Sequence, residues 1–408
     1  MEVKIIPSQE FEKLENNFAT SNFLQTAAMS FVQSKNPRFV KVETVGVYQE
    51  GQVVSMVVLV YRKRFKVFTE ALALHGPLFR KSASTKEKLI IIDCLEGYLK
   101  KSGVAHFDLY PYLLNETKSA TLKPIESGLE EDFKQALLKM GYTYGFDKSQ
   151  GTIVNTMFVK NLNPFDSVEE IYNDFSNSLK RDLKKFTSSQ VKVEELERNQ
   201  LSDFYDILLD TGKRKGFDVQ PLSYFENLKD DFGPRAQFML AFLDVPAYRE
   251  YLSSNISDFE HRIHELETGP QKKRTKGQIA DAKDQLQSYY KRQKQLEDMQ
   301  LESNRLPLSA YLFMSNDREM VSFSGGNNED YMNFGGATVL HWEMIQKAFE
   351  NGQEQFNFYG TIETEAAGQG QGNFNFKRQF GGELDILLGQ FSKSLHPLYS
   401  LLTKLKKD

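Results

Sequence analysis

The stretch VKVETVGVYQEGQVVSMVVLVYRK sets two runs rich in β-branched apolar residues on either side of Glu50-Gly51, which predicts two strands turning there. Before this hairpin, SNFLQTAAMSFVQSK carries apolar residues at helical spacing behind Ser21 or Asn22. After it, TKEKLIIIDCLEGYLKKSG reads as a helix with Thr85 near its start and Gly103 as its stop. VAHFDLYPYLL is then a short apolar strand entering a proline-bearing loop. The pattern starts again with the strand NTMFVKNL, one basic helix SVEEIYNDFSNSLKRDLKKFTSS, and the strand VKVEEL. QLSDFYDILLDTGKRKG is a helix running into a basic turn, and RAQFMLAFL, LPLSAYLFMSN and EMVSFSGGNN are three further strands. The helix TVLHWEMIQKAFENGQ and the strand QFNFYGTI follow. Strand pairs alternate with helices twice, so the pattern predicts an α/β (α+β) chain of two related lobes, 1–147 and 148–408.

One stretch breaks this alternation. From Tyr248 to about Glu302 the chain is charged, and Leu252, Ile256, Phe259, Ile263 and Leu266 recur at spacings of four and three. The spacing resumes beyond TGPQKKRTKG with Ile279, Ala282, Leu286, Tyr289 and Leu296, with Gln293 at the polar position of the seam. These are the a/d seams of an antiparallel coiled-coil arm, residues 246–305, about 20 residues per side and inserted in the second lobe. Its shafts are charge-balanced, whereas Lys272, Lys273, Arg274 and Lys276 crowd the tip with no acid before Asp281. Four cations at the end of a lever suit phosphate contact, and a solvated loop is the plainer alternative.

Composition narrows the function classes. A chain of 408 residues exceeds one ordinary core. The 32 Phe and 18 Tyr supply broad cores and spare rings for a groove. The single cysteine, Cys94, lies in an apolar run and reads as a buried thiol; with no disulfide framework, a reducing cytoplasm is expected. No run reaches the roughly 20 apolar residues of a membrane span, and the N-terminus lacks the apolar core of a signal peptide. The net charge of -4 does not advertise nucleic-acid binding, so any RNA contact must come from local patches.

Nucleophile and metal signatures are missing: there is no G-x-S-x-G, H-E-x-x-H or C-x-x-C, and the six histidines lack ligand spacing. No metal or cofactor is therefore expected. Gly368 to Gly372 could cradle phosphate but lacks a following lysine, and a plain loop is the simpler reading. The informative stretch is FNFYGTIETEAAGQGQGNFNFKRQFGGEL. Here Phe374 and Phe376 alternate with polar residues in a strand-like way, and Lys377-Arg378 are caged by aromatics and glycines.

These residues resemble the Fem aminoacyltransferases. FNFYGTIE is similar to that family's Y-x-F-x-G segment and NFNFKRQFGG to its F-K-x-x-F/Y segment. SFSGGNNEDYMNFGGATVLHWEMIQKAFENG, DTGKRKGF and LKRDLKKF match further segments, and the arm matches the FemA branch. The resemblance covers essentially the whole chain. It implies two GNAT-like lobes plus the arm, and transfer from aminoacyl-tRNA to the stem-peptide amine of a peptidoglycan precursor, lipid II or UDP-MurNAc-pentapeptide. It implies Phe376 and Lys377 at the acyl-transfer site and Arg214 and Lys215 on the precursor's phosphates. Tyr224 and Tyr359 are further substrate-binding candidates, and the four tip cations are candidates for tRNA. Two departures stand out. The family's phosphate-binding lysine of the first helix falls at Gln33, with Lys35 the nearest cation. Its Asp-Pro pair becomes Tyr110-Pro111, with Asp108 two residues earlier as a candidate acid/base, alongside Glu363 and Glu365. An acyl-coenzyme A-dependent GNAT enzyme and a non-catalytic RNA-binding protein remain alternatives. The expected location is the cytoplasm. The terminal stripe Leu398, Leu401, Leu402 and Leu405 with Lys404, Lys406 and Lys407 would suit contact with the inner membrane face, and a helix packed on the lobe is the alternative.

Overall fold

A computed structural model describes residues 1–145, 153–270, 272–299, 301, 303–362 and 371–405. Among these residues the strands form two mixed sheets. The first runs in the order Glu2–Ile5, Lys41–Gln49, Gln52–Arg64, Phe68–Leu74, His106–Tyr110, Phe391–Ser394, Thr143–Tyr144, with Leu78–Phe79 paired to Gln52–Arg64. The second runs Val191–Glu195, Ala236–Asp244, Arg305–Ser315, Glu319–Asn327, Gln355–Gly360, Thr156–Asn161, Glu383–Leu387, Leu114–Ser119, Pro124–Ser127. Each sheet holds a parallel pair: Phe68–Leu74 beside His106–Tyr110 in the first, and Glu319–Asn327 beside Gln355–Gly360 in the second. The α/β reading is what the chain adopts, with two sheets and helices packed on them.

A cut at residue 147 nevertheless crosses the pairing. Leu114–Ser119 and Pro124–Ser127 sit in the second sheet, and Phe391–Ser394 bridges two strands of the first. Each lobe lends strands to the other, so neither sheet is complete without the far part of the chain. Separate cores lie under the two sheets, one around Ile92, Leu95 and Phe107, the other around Leu340, Met344 and Phe356. Cys94 is half-buried at the margin of the first.

Local signals explain the helices. Thr85–Lys101 is opened by a reciprocal capping box between Ser84 and Glu87. The long basic helix of the sequence reading is two helices, Val168–Asp174 and Asn177–Ser188. Phe175 is extended and its buried ring packs on Trp342 and Phe380, while the Ser176 side chain caps the second helix. A second correction concerns NFNFKRQFGG, which forms a helix, Gln371–Lys377, rather than a strand. Phe374 and Lys377 share its buried face, and Phe376 meets Phe380 four residues on.

The arm consists of Val245–Thr268 and Thr275–Asp298, 24 residues each, so about 36 Å at 1.5 Å per residue. Leu252, Ile256, Ile263, Ala282 and Leu296 are buried in its seam, and Phe259 packs on Tyr289 at 5.6 Å. Tyr248, Leu252 and Leu296 root it in the second core. Lys272, Lys273, Arg274 and Lys276 are exposed at the tip. Among the described residues, no helix is long and apolar enough to cross a membrane.

Candidate active site

The parallel pairing of Glu319–Asn327 with Gln355–Gly360 stops at Val321 and Asn357, and beyond those residues the two strands part. Across the ladder, the register against Thr156–Asn161 shifts between Met157 and Val159, opposite Asn357 to Gly360. Tyr359 sits at this irregularity with φ of 61°, a left-handed conformation that costs a bulky residue energy. At this splay and bulge the carbonyls of Tyr359 and Gly360 accept from a side chain.

Lys377 takes both carbonyls. Its Nζ donates to Gly360 O at 2.6 Å and to Tyr359 O at 3.1 Å, and the residue is only 5% exposed. Burial, with the Lys215 charge nearby, pulls its pKa down to about 7. The neighbouring Phe376 ring meets the edge of His341 at 5.2 Å. His341 is itself fixed, one ring nitrogen 2.8 Å from Ala337 O and the other 3.0 Å from Ser322 Oγ. Burial drops its pKa to about 4, so at neutral pH it is an uncharged ring in a T-shaped contact with Phe376.

A cleft of about 980 Å³ opens here, lined by Arg214, Lys215, Tyr311, Asn327, Gly360 and Phe376 among others. The cations arrive on the helix Leu201–Lys215, whose last turn carries Lys213, Arg214 and Lys215 and which ends in left-handed Gly216. That helix lies against the strand because Gly326 lacks a side chain: a Cβ there would stand 2.1 Å from Thr211 Oγ1 and 2.9 Å from Ile207 O. Arg214 pairs with Glu329 across the mouth of the cleft. Burial and the Arg214 charge lower the Lys215 pKa. The fold therefore brings together two basic segments that lie far apart in the sequence.

Behind the cleft lies a buried polar chain that the sequence reading did not single out. The Tyr359 N–H donates to Asn357 Oδ1 at 2.8 Å, and Asn357 Nδ2 donates to Glu319 Oε2 at 3.2 Å. Glu319 also accepts from Gln355 Nε2 at 3.1 Å and from the Tyr112 hydroxyl at 3.2 Å. Its carboxyl pKa is raised by burial, against the donors that favour the anion. The chain thus runs from Glu319 through Asn357 and the Tyr359 backbone to the lysine ammonium. A polar Asn between two apolar rings, Phe356 and Phe358, was the signal for it in the sequence, and all three are buried.

The remaining candidates lie elsewhere. Asp108 is in the first sheet, outside the cleft lining. Burial pushes its pKa up, but hydrogen bonds and charge from His106, the Ser392 hydroxyl at 2.6 Å and Arg62 outweigh that and hold it low. Through these partners its carboxylate ties His106–Tyr110 to Phe391–Ser394. Lys35 pairs with Asp231 at 2.7 Å, linking the first-lobe helix Ala27–Ser34 to the helix Leu222–Phe232, and it too does not line the cleft. Tyr224 and Tyr359 belong to one aromatic cluster with Phe23 and Phe323 beside the splay, where burial raises both phenol pKa values. Glu363, Glu365 and Gly368 to Gly370 fall outside the described residues. Among the described residues no group of His, Cys, Asp and Glu is arranged to hold a metal ion.

The sequence model of the FemAB family matches residues 6–407. The chain is 24% identical over 372 residues to aminoacyltransferase FemA of Staphylococcus epidermidis, covering 88% of each chain. It is 24% identical over 415 residues to aminoacyltransferase FemA of Staphylococcus aureus, covering 98% of this chain and 97% of that one. Its fold is that of the FemX crystal structure, with a TM-score of 0.77 at 20% identity over 98% of this chain and 100% of that chain. With a family match that spans nearly every residue, and with lobes, arm and cleft in one fold, the chain belongs to the FemAB family.

Proposed function

We propose that this protein transfers an aminoacyl group from aminoacyl-tRNA to the stem-peptide amine of a peptidoglycan precursor, lipid II or UDP-MurNAc-pentapeptide. The observation that carries the reading is a buried lysine held by two carbonyls beside a cleft that also receives Arg214 and Lys215. The donor is an activated ester, so no protein nucleophile is required. The neutral amine attacks the ester carbonyl, a tetrahedral oxyanion forms, and the tRNA ribose oxygen leaves with a proton relayed from the amine.

Lys377 commits two of its three N–H bonds to Tyr359 O and Gly360 O, and we assign the third to the oxyanion. A donor of this kind is worth about 10²- to 10³-fold in rate. Arg214 and Lys215 hold the precursor's phosphates, with Arg214 leaving Glu329 to do so. The arm tip meets phosphates of the tRNA body. The reaction takes place in the cytoplasm, near the inner face of the membrane. Incubating the protein with the precursor and either charged tRNA or an acyl-coenzyme A, each carrying a labelled acyl group, tests the reading. Label moving from charged tRNA to the precursor is expected; label moving only from the thioester overturns it.

A further inference from the structure

The structure puts an exposed apolar and basic patch on the first lobe, outside the cleft lining. It has two parts that are distant in sequence. One is the tip of the hairpin between Gln52–Arg64 and Phe68–Leu74, where Lys63, Arg64 and Lys66 are exposed and Val67 is 71% exposed. The other is the helix Pro397–Leu405, with Leu398 at 60%, Leu401 at 56% and Leu402 at 40% exposure. The side chains of Lys404 to Lys407 are outside the described residues and are not used here.

Tyr399 locks the two parts together. It is buried, its hydroxyl donates to buried Glu70, and its ring meets Phe65 at 6.0 Å and Phe68 at 5.5 Å. His396 adds a contact to Phe68 at 5.6 Å. The helix is thus packed on the lobe, as the plainer sequence reading has it, but through Tyr399, which leaves the leucines outward. The acid of this region, Glu70, is buried against Arg62 and Tyr399 and also reaches Arg64 at 4.0 Å, so one inward carboxylate faces several cations and the rim stays net positive.

We infer that this patch is a docking surface for an anionic lipid bilayer, with Val67 and the three leucines entering the headgroup boundary and Lys63, Arg64 and Lys66 on the lipid phosphates. Three features favour a bilayer. Four exposed side chains present a few hundred Å², short of the roughly 800 Å² per partner that a stable protein interface buries. An RNA site has no use for exposed leucines. Apolar residues ringed by Lys and Arg are the composition of a segment that lies in the plane of an interface.

The test is flotation of the full chain with vesicles of phosphatidylglycerol and phosphatidylcholine, against phosphatidylcholine alone. No peptidoglycan precursor or tRNA is present, so the outcome is independent of the transfer reaction. Wild type is expected to float with the anionic vesicles and be released by salt. Lys63→Gln, Arg64→Gln and Lys66→Gln together should lower partitioning on the order of 100-fold at low salt, about fivefold per cation. Leu398→Ser, Leu401→Ser and Leu402→Ser together should abolish flotation while leaving the melting temperature unchanged, because these side chains are already solvent-facing. Val67→Trp should shift its fluorescence to the blue on anionic vesicles. Wild type that stays in solution, or a leucine variant that floats like wild type, overturns the proposal. So does a dimer in sedimentation that the leucine variant breaks, since a second copy would then cover the face.

Discussion

Replacing Lys377 by Met separates activity from stability. The side chain is buried and its pKa stands near 7, far below the 10.5 of a free lysine. The folded state therefore holds fewer protons than the unfolded state between about pH 7 and 10.5, and wild-type stability rises with pH across that window. Below pH 7 the penalty is complete and constant. From pH 7, where the group is half-titrated, to pH 9 wild type regains about 2 kcal/mol. Methionine has no such slope. It forfeits the bonds to Tyr359 O and Gly360 O but also removes the buried charge, so Lys377→Met should be as stable as wild type at pH 6 and less stable by pH 9. Turnover should fall about 10²-fold at pH 6. The amine substrate ionises identically for both proteins, so the wild-type to variant ratio of kcat/KM isolates the lysine. That ratio should decline toward tenfold at about pH 8 and close to parity at pH 9, as the ammonium empties. The assays are denaturant unfolding and labelled transfer across pH 6 to 9. Wild-type turnover in the variant, or a ratio that stays flat over that range, refutes the assignment of the lysine cation.

Three further outcomes are expected. Arg214→Ala with Lys215→Ala should raise the acceptor's KM about tenfold or more, as lost charge-assisted bonds do, with a smaller change for charged tRNA; movement of the tRNA constant alone reverses the roles. Asn357→Ala leaves the Tyr359 N–H and a buried carboxylate short of a partner, costing about 1–3 kcal/mol in unfolding. If Asn357 acts through the lysine, its effect on kcat should vanish in the Lys377→Met background, and an additive double variant sinks that link. Changing Lys272, Lys273, Arg274 and Lys276 to Gln should flatten the slope of log tRNA affinity against log salt by up to about 3 to 4 units while precursor binding holds, and an unchanged slope removes the tip from the RNA site.

Much of this was written in local pattern. The hairpin of Lys41–Gln49 and Gln52–Arg64 follows from two apolar, β-branched runs on either side of Glu50-Gly51. The arm follows from its a/d seam, since spacings of four and three force two helices to share one stripe whatever surrounds them. The basic turn at Arg214 and Lys215 and the caged Lys377 stood out because cations beside glycines and aromatics are poor surface and poor core alike. NFNFKRQFGG misled because Phe374 and Phe376 sit two apart, a spacing that a strand and a short helix both allow. In the fold Phe374 and Lys377 face inward together, and only a helix puts positions three apart on one side. A carboxylate within a strand, such as Asp108, looks the same from the sequence whether it meets substrate or, as here, His106, Arg62 and Ser392.

What the sequence determined by itself is whatever depends on neighbours a few residues away: the elements, their caps, the arm and its cationic tip. What only the tertiary structure decided is whatever depends on partners far along the chain. The exchange of Leu114–Ser119 and Phe391–Ser394 between the sheets is of this kind, because any strand edge offers the same backbone groups and local pattern does not choose among them. So is the depressed pKa of Lys377, which arises from burial and from Lys215 on a distant helix. The chain from Glu319 through Asn357 to Tyr359 exists only because two parallel strands part where one of them bulges against a third. Charge and hydrogen bonding act through space, so the site's chemistry is set by the packing that encloses it, and the sequence names its members without saying which of them meet.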